Sequence, residues 1–175
     1  MPGRAPIYSV DASALIQLKE DYPFTVVGFR SMWEFIGGLG DQSRVQVVQA
    51  AHEECKDQVL KDWFKEHPGI VRPFSTELNA YINALNRELK AVHLPLVDPD
   101  STTNLADPDV IALALMIEGR PLEDLSGDRN GESVVICYEA ARREKGLAKI
   151  PLVCRHYGLD CVKWPAMLER EGWTG

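Results

Sequence analysis

Short apolar, β-prone runs alternate with helical patterns along this chain, and several of the runs lead into acidic residues. Residues 7–10 (Ile-Tyr-Ser-Val) stop at Asp11, residues 45–48 (Val-Gln-Val-Val) are followed by Glu53 and Glu54, and residues 133–137 (Ser-Val-Val-Ile-Cys) by Glu139. Residues 70–71 read as a shorter strand and residues 161–164 as a fifth. Strands separated by helices pair in parallel through crossovers and need cover on both faces. The expected fold is therefore α/β, a three-layer α/β/α arrangement around a small, mostly parallel five-stranded sheet.

The helical segments are read from caps and periodicity. A turn or two over residues 14–18 breaks at Tyr22-Pro23. Ser31 with Glu34 has the spacing of a capping box for a helix over residues 32–36, stopped by Gly37-Gly38. Cys55, Val59, Leu60, Trp63 and Phe64 give residues 52–67 the apolar face of one long helix. Ser75 caps a helix through Leu78, Ile82, Leu85 and Leu89. Asp107-Pro108 reads as a cap followed by proline at the first helical position, and the helix it opens is apolar nearly all round over residues 110–117. A last helix is expected over residues 166–171, and residues 98–101 and 119–131 read as loops.

At 175 residues the chain suits one domain, residues 1–175, long enough to fold without a disulfide or metal staple. Four cysteines are too few for a disulfide framework and fit a reducing cytoplasm. The apolar run at 110–117 is far short of the roughly 20 residues that span a bilayer. The opening Met-Pro-Gly-Arg-Ala-Pro has no apolar signal-peptide core. A net charge of −7 disfavours coating nucleic acid through bulk charge, yet leaves room for a nuclease with an acidic site.

In parallel α/β sheets the site lies beyond the carboxyl ends of the strands. Asp11, then Glu53 and Glu54, then Glu139 follow predicted strands, while Asp107 and Asp109 open the buried helix before the fourth. No glycine-rich phosphate loop, Ser-His-Asp order or HExxH helix competes with them. Carboxylates held together raise one another's pKa, and a hard divalent cation such as Mg²⁺ or Mn²⁺ relieves the repulsion. Such a centre suits phosphodiester hydrolysis. Each acid also has a plain reading: Asp11 and Asp107 as helix caps, Glu54 as a solvated helix residue, Glu139 as a favourable charge at a helix N-terminus. Their joint placement is what points to chemistry.

The stretches Tyr8-Ser9-Val10-Asp11-Ala12-Ser13, Tyr22-Pro23 with Trp33, Glu54, residues 106–114 opening Ala106-Asp107-Pro108-Asp109, residues 134–139, and Lys149-Ile150-Pro151-Leu152-Val153-Cys154 followed by Gly158 and Cys161 occur in this order. With them the chain resembles PIN-domain ribonucleases, above all a PIN-like bacterial group often encoded beside DNA-binding antitoxins. The resemblance implies a Mg²⁺- or Mn²⁺-dependent endoribonuclease acting on single-stranded RNA, the toxin of a type II toxin–antitoxin pair. It implies Asp11, Glu54, Asp107 and Glu139 as catalytic and metal-holding residues, with Glu53 as the rival of Glu54. Cys137 stands where the family usually has threonine, and Glu139 is one methylene longer than the usual aspartate. The expected partners are the RNA, a cognate antitoxin and a second copy of the chain, with no membrane. A catalytically inactive PIN-fold protein that binds RNA or protein is the alternative.

Other features are weaker. Cys154, His156 and Cys161 do not have a common zinc spacing. Asp11-Ala12-Ser13 lacks the second aspartate that phosphatases with an aspartate nucleophile usually carry. Ser13 can set its hydroxyl near a carboxylate or phosphate, or simply cap a helix. Residues 142–163 hold six Lys and Arg against two acids, a strip of +4 in a chain of −7. That strip suits RNA or an acidic antitoxin tail, or is only a solvated face. Trp33, Trp63, Trp164 and Trp173 can stack on bases, although the helical spacing of Trp63 favours the core.

Overall fold

The computed structural model describes residues 5–96, 106–127 and 132–174. In chain order the strands are β1 (Ile7–Val10), β2 (Val45–Val48), β3 (Val71–Arg72), β4 (Ser133–Ile136), β5 (Arg143–Glu144), β6 (Leu147–Ala148) and β7 (Asp160–Val162). The helices are α1 (Ala12–Asp21), α2 (Val27–Asp41), α3 (Gln49–Glu54), α4 (Gln58–Glu66), α5 (Thr76–Ala91), α6 (Asp107–Ile117), α7 (Ile150–Tyr157) and α8 (Trp164–Arg170), with a 3-10 turn at Pro68–Ile70.

A five-stranded sheet has the order β3-β2-β1-β4-β7, and every pair in it is parallel. Tyr8 stands opposite Val45 on one side and Val134 on the other, so β1 is central. Side chains alternate across a strand. Ser9 therefore faces α6, where its hydroxyl donates to Val110 O at 2.8 Å. Tyr8 faces the opposite layer, where its hydroxyl donates to Glu171 Oε1 at 2.7 Å. Helices thus cover both faces, as expected of the three-layer fold. α6 lies between the sheet and α5, which explains a helix that is apolar nearly all round. Among the described residues no helix is long and apolar enough to cross a membrane.

Strand order reverses at β1, with β2 and β3 built outward on one side and β4 and β7 on the other. The crevice between the carboxyl ends of β1 and β4 is the place where such a sheet offers a binding site.

Several elements differ from expectation. α2 starts at Val27 rather than at a Ser31 cap and runs through Gly37 and Gly38 to Asp41. A Cβ on Gly37 would lie 2.4 Å from His67 Nε2, and one on Gly40 1.8 Å from Ile70 Cγ1. These glycines let the helix approach the Pro68–Ile70 turn, a tertiary demand that outweighs their tendency to end helices. The single helix expected over residues 52–67 is two. Asp57 caps α4, accepting from the N–H of Val59 at 2.9 Å and of Leu60 at 3.3 Å, and it pairs with Lys19 at 2.7 Å. Periodicity alone concealed this cap. The fifth strand ends at Val162, and Trp164 instead opens α8, its indole N–H donating to Ala14 O at 2.7 Å. The hairpin of β5 and β6 was not expected. The loop read at residues 98–101 lies outside the described residues, as do residues 128–131 of the loop read at 119–131.

Candidate functional site

Asp11 is the first residue past β1. Its N–H donates to Ile136 O at 3.0 Å, which fixes it to the end of β4. Its carboxylate caps α1, accepting from Ser13 N–H at 3.1 Å, and also accepts from the Ser13 hydroxyl. Ser13 Oγ in turn accepts from Tyr138 N–H at 3.4 Å. One serine therefore ties the first carboxylate to the segment after β4. Asp11 is only 4% exposed. Burial, with the charges of Glu139 and Glu54, pushes its carboxyl up to about 6 against the opposing hydrogen bonds of Ser13.

Asp107 is the first residue of α6, and Ala106 is the flanking residue, so the expected side-chain cap is not formed. The N–H of Ala106 is satisfied by Glu54 Oε1 at 2.9 Å instead. This leaves the Asp107 carboxyl unused by its own helix. Burial, then the charges of Asp11 and Glu139, push it up to about 7, with Lys149 opposing and Glu54 adding. The neighbouring Asp109 is buried too, and burial and the charge of Glu54 push it up to about 6.

Glu54 closes α3 rather than opening a long helix, and the short α3 sets it against the start of α6. The side chain of Glu53 is instead engaged on its own helix, accepting from Gln49 Nε2 at 2.8 Å. Of the two rivals, Glu54 is the one whose charge reaches Asp11, Asp107 and Asp109.

Glu139 follows β4 through a tight turn in which its N–H donates to Cys137 Sγ at 3.3 Å. Cys137 thus acts as an acceptor for the turn that carries the acid. The carboxylate of Glu139 accepts from Ile150 N–H at 3.4 Å, at the start of α7, and pairs with Lys149 Nζ at 2.9 Å. Its hydrogen bond and charge pairing with Glu139, aided by Asp107 and Glu144 and opposed by burial, raise the Lys149 ammonium. The sequence places Lys149 in the basic strip and at the head of the Lys149–Cys154 stretch, with no role at the site. Nothing in its local pattern marks it as a site residue, because the chain path from β4 through the hairpin brings it back to Glu139.

The four predicted acids therefore lie at one end of the sheet, beyond the carboxyl ends of its strands, within one another's electrostatic field. They do not form a ready coordination shell: among the described residues no group of three His, Cys, Asp or Glu side chains is placed to hold one ion. Glu54 and Glu139 are each occupied by a protein donor. The donor set itself is all carboxylate oxygen, the chemistry that suits a hard divalent cation rather than zinc.

The basic strip does not form one face. Lys149 turns inward, Lys163 lies 5.3 Å from the centroid of the Tyr138 ring, and Arg142, Arg143 and Lys145 are exposed on the hairpin. Trp33, Trp63 and Trp164 are buried in the core and cannot stack on bases; Trp173 is half-buried against it.

No curated protein and no solved structure matches the chain. A family model described as Domain of unknown function (DUF4411) matches residues 8–175, and the chain belongs to that family.

Proposed function

We propose that this protein is a PIN-type, metal-dependent endoribonuclease that hydrolyses phosphodiester bonds of single-stranded RNA. The observation that carries this reading is the gathering of Asp11, Glu54, Asp107 and Glu139 beyond the carboxyl ends of β1 and β4, with the Asp11 and Asp107 carboxyls raised by burial and mutual repulsion. A bound Mg²⁺ or Mn²⁺ supplies charge neutralisation at the phosphodiester and a lower pKa for the attacking water. Asp11 and Asp107 are the residues that would hold the cation. Glu54 and Glu139 would complete its surroundings directly or through water, Glu139 by leaving Lys149. Ser13 orients Asp11. The charges now opposing one another across the crevice become attractive partners for the cation.

The test is cleavage of an end-labelled single-stranded RNA by the full chain. Activity is expected with Mg²⁺ or Mn²⁺, lost with a chelator, and reduced at least about 100-fold in Asp11→Asn and in Asp107→Asn. Cleavage that survives both substitutions overturns the site.

A second reading is a PIN-fold binding module without catalysis. The ammonium of Lys149 on Glu139, a cation already in place beside the acids, is what favours it. RNA binding by the wild-type chain without cleavage at any Mg²⁺ or Mn²⁺ level would select it.

A further inference from the structure

We infer that the hairpin of β5 and β6 is an RNA-docking arm, which holds the phosphates flanking the acidic crevice. The inference rests on the ribonuclease reading for the identity of its ligand.

The hairpin is small but well defined. Arg143 pairs with Ala148 and Glu144 with Leu147, and the turn between them places Lys145 at φ 50 and Gly146 at φ 82. Both turn residues are left-handed, the geometry that suits the twist of a tight hairpin. For lysine that conformation costs about 1 kcal/mol. The base is anchored by Ala148 N–H on Pro95 O at 2.8 Å and Lys149 N–H on Arg142 O at 3.1 Å.

This structure contributes little to the core. Every residue from 141 to 146 is exposed. What it does is project charge. Residues 142–149 hold Arg142, Arg143, Lys145 and Lys149 against Glu144, a net of +3 in a chain of −7. Among the described residues Arg143 and Lys145 form no ion pair, while Glu144 is shared by Arg142 at 3.3 Å and Lys149 at 3.9 Å.

The arm is rooted in the crevice. Lys149, at its foot, is the residue paired with Glu139, and the two-residue strands β5 and β6 carry Arg143 and Lys145 out from it to the turn. Protein partners are recognised through buried apolar and aromatic anchors, and the exposed residues 142–146 offer none. A phosphate backbone needs only the charge. Those facts favour RNA over a protein partner held by an apolar interface.

The experiment measures binding of a labelled single-stranded RNA to the full chain in chelator, so that cleavage is excluded, across a series of salt concentrations. The Arg143→Thr/Lys145→Asn double variant removes two charges while keeping a strand-forming residue and a residue that accepts the left-handed turn. Each lost phosphate contact lowers the slope of log affinity against log salt by about 0.7, so the double variant should be shallower by about 1.4. Glu144→Thr should bind RNA more tightly than wild type. A double variant with wild-type affinity and slope overturns the inference, and so does a chain that binds an acidic peptide through these residues but not RNA. If wild type cleaves RNA while the double variant keeps its slope, the arm is wrong and the ribonuclease stands. If hairpin-dependent binding is found without cleavage in Mg²⁺ or Mn²⁺, the arm stands and the ribonuclease falls.

Discussion

Lys149 Nζ stands 2.9 Å from Glu139 Oε1, so the acid predicted to complete a metal centre is held by a cation of the protein itself. The ammonium offsets part of the repulsion among the acids, but it also competes with any metal for that carboxylate. Lys149→Met should tighten Mn²⁺ binding by about tenfold, equal to about 1.4 kcal/mol, as measured by titration calorimetry of the metal-free chain. Unchanged or weaker binding would show that Lys149 presents Glu139 to the metal rather than guarding it.

Ser13 joins two segments through one hydroxyl, donating to Asp11 and accepting from Tyr138 N–H. Ser13→Ala leaves the Asp11 carboxylate with a weaker cap and the Tyr138 N–H without that acceptor. The loss should destabilise the chain by about 1–2 kcal/mol in urea unfolding. If the proposed chemistry holds, cleavage should fall about tenfold or more, with Ser13→Thr retaining most of it. Equal activity in Ser13→Ala and wild type would reduce the serine to a plain helix cap.

The raised carboxyls make a pH prediction of definite sign. Asp107 is pushed to about 7 and Asp11 to about 6, both above the 3.8 of an unperturbed group. Between the unfolded and folded values the native state holds more protons than the unfolded state, so stability falls as pH rises. The metal-free chain should therefore lose stability through these groups from about pH 4 to about pH 7, and regain it on adding Mg²⁺ or Mn²⁺. Asp107→Asn removes one of the charges and should stabilise the metal-free chain at pH 8 by about 2 kcal/mol. Thermal melts of both proteins across this range provide the check, and a variant less stable than wild type at pH 8 would refute the repulsion.

Gly40 marks the close approach of α2 to the turn before β3. With Ile70 Cγ1 1.8 Å from the position a Cβ would take, Gly40→Ala forces one element to move. The expected loss is about 2–3 kcal/mol in denaturant unfolding. Ile70→Ala opens the space, so the double variant should lose less than the two single changes added together. Additive losses would mean that the two residues do not share the contact.

Much of the fold was readable because it depends on local pattern. Residues 7–10 and 45–48 are strands with the expected bounds, since a short apolar run bounded by polar residues has few other uses. The all-round apolarity of residues 110–117 foretold a helix covered on both sides, and α6 has the sheet on one side and α5 on the other. Asp107 next to Pro108 marked the helix start to within one residue. The acids were also visible individually, because each follows a strand or opens a helix.

The sequence by itself determined the succession along the chain of the five strands that make the sheet, their parallel pairing and the end of that sheet at which the acids collect. Periodicity and caps are properties of neighbouring residues, so a linear chain displays them. Tertiary structure decided the rest. Gly37 and Gly40 serve the approach to His67 and Ile70, although locally they read as a helix stop. Asp57 divides one helical pattern into two, its cap supported by Lys19 from a distant helix. Glu54 is separated from Glu53 by an N–H at Ala106, 52 residues further along. Lys149 belongs to the acidic crevice because the hairpin folds the chain back onto Glu139. Apart from the Asp57 cap, whose N–H donors are local, the deciding partner lies outside the residue's own element, and only the packing of the sheet and helices brings the two groups within hydrogen-bonding or van der Waals reach.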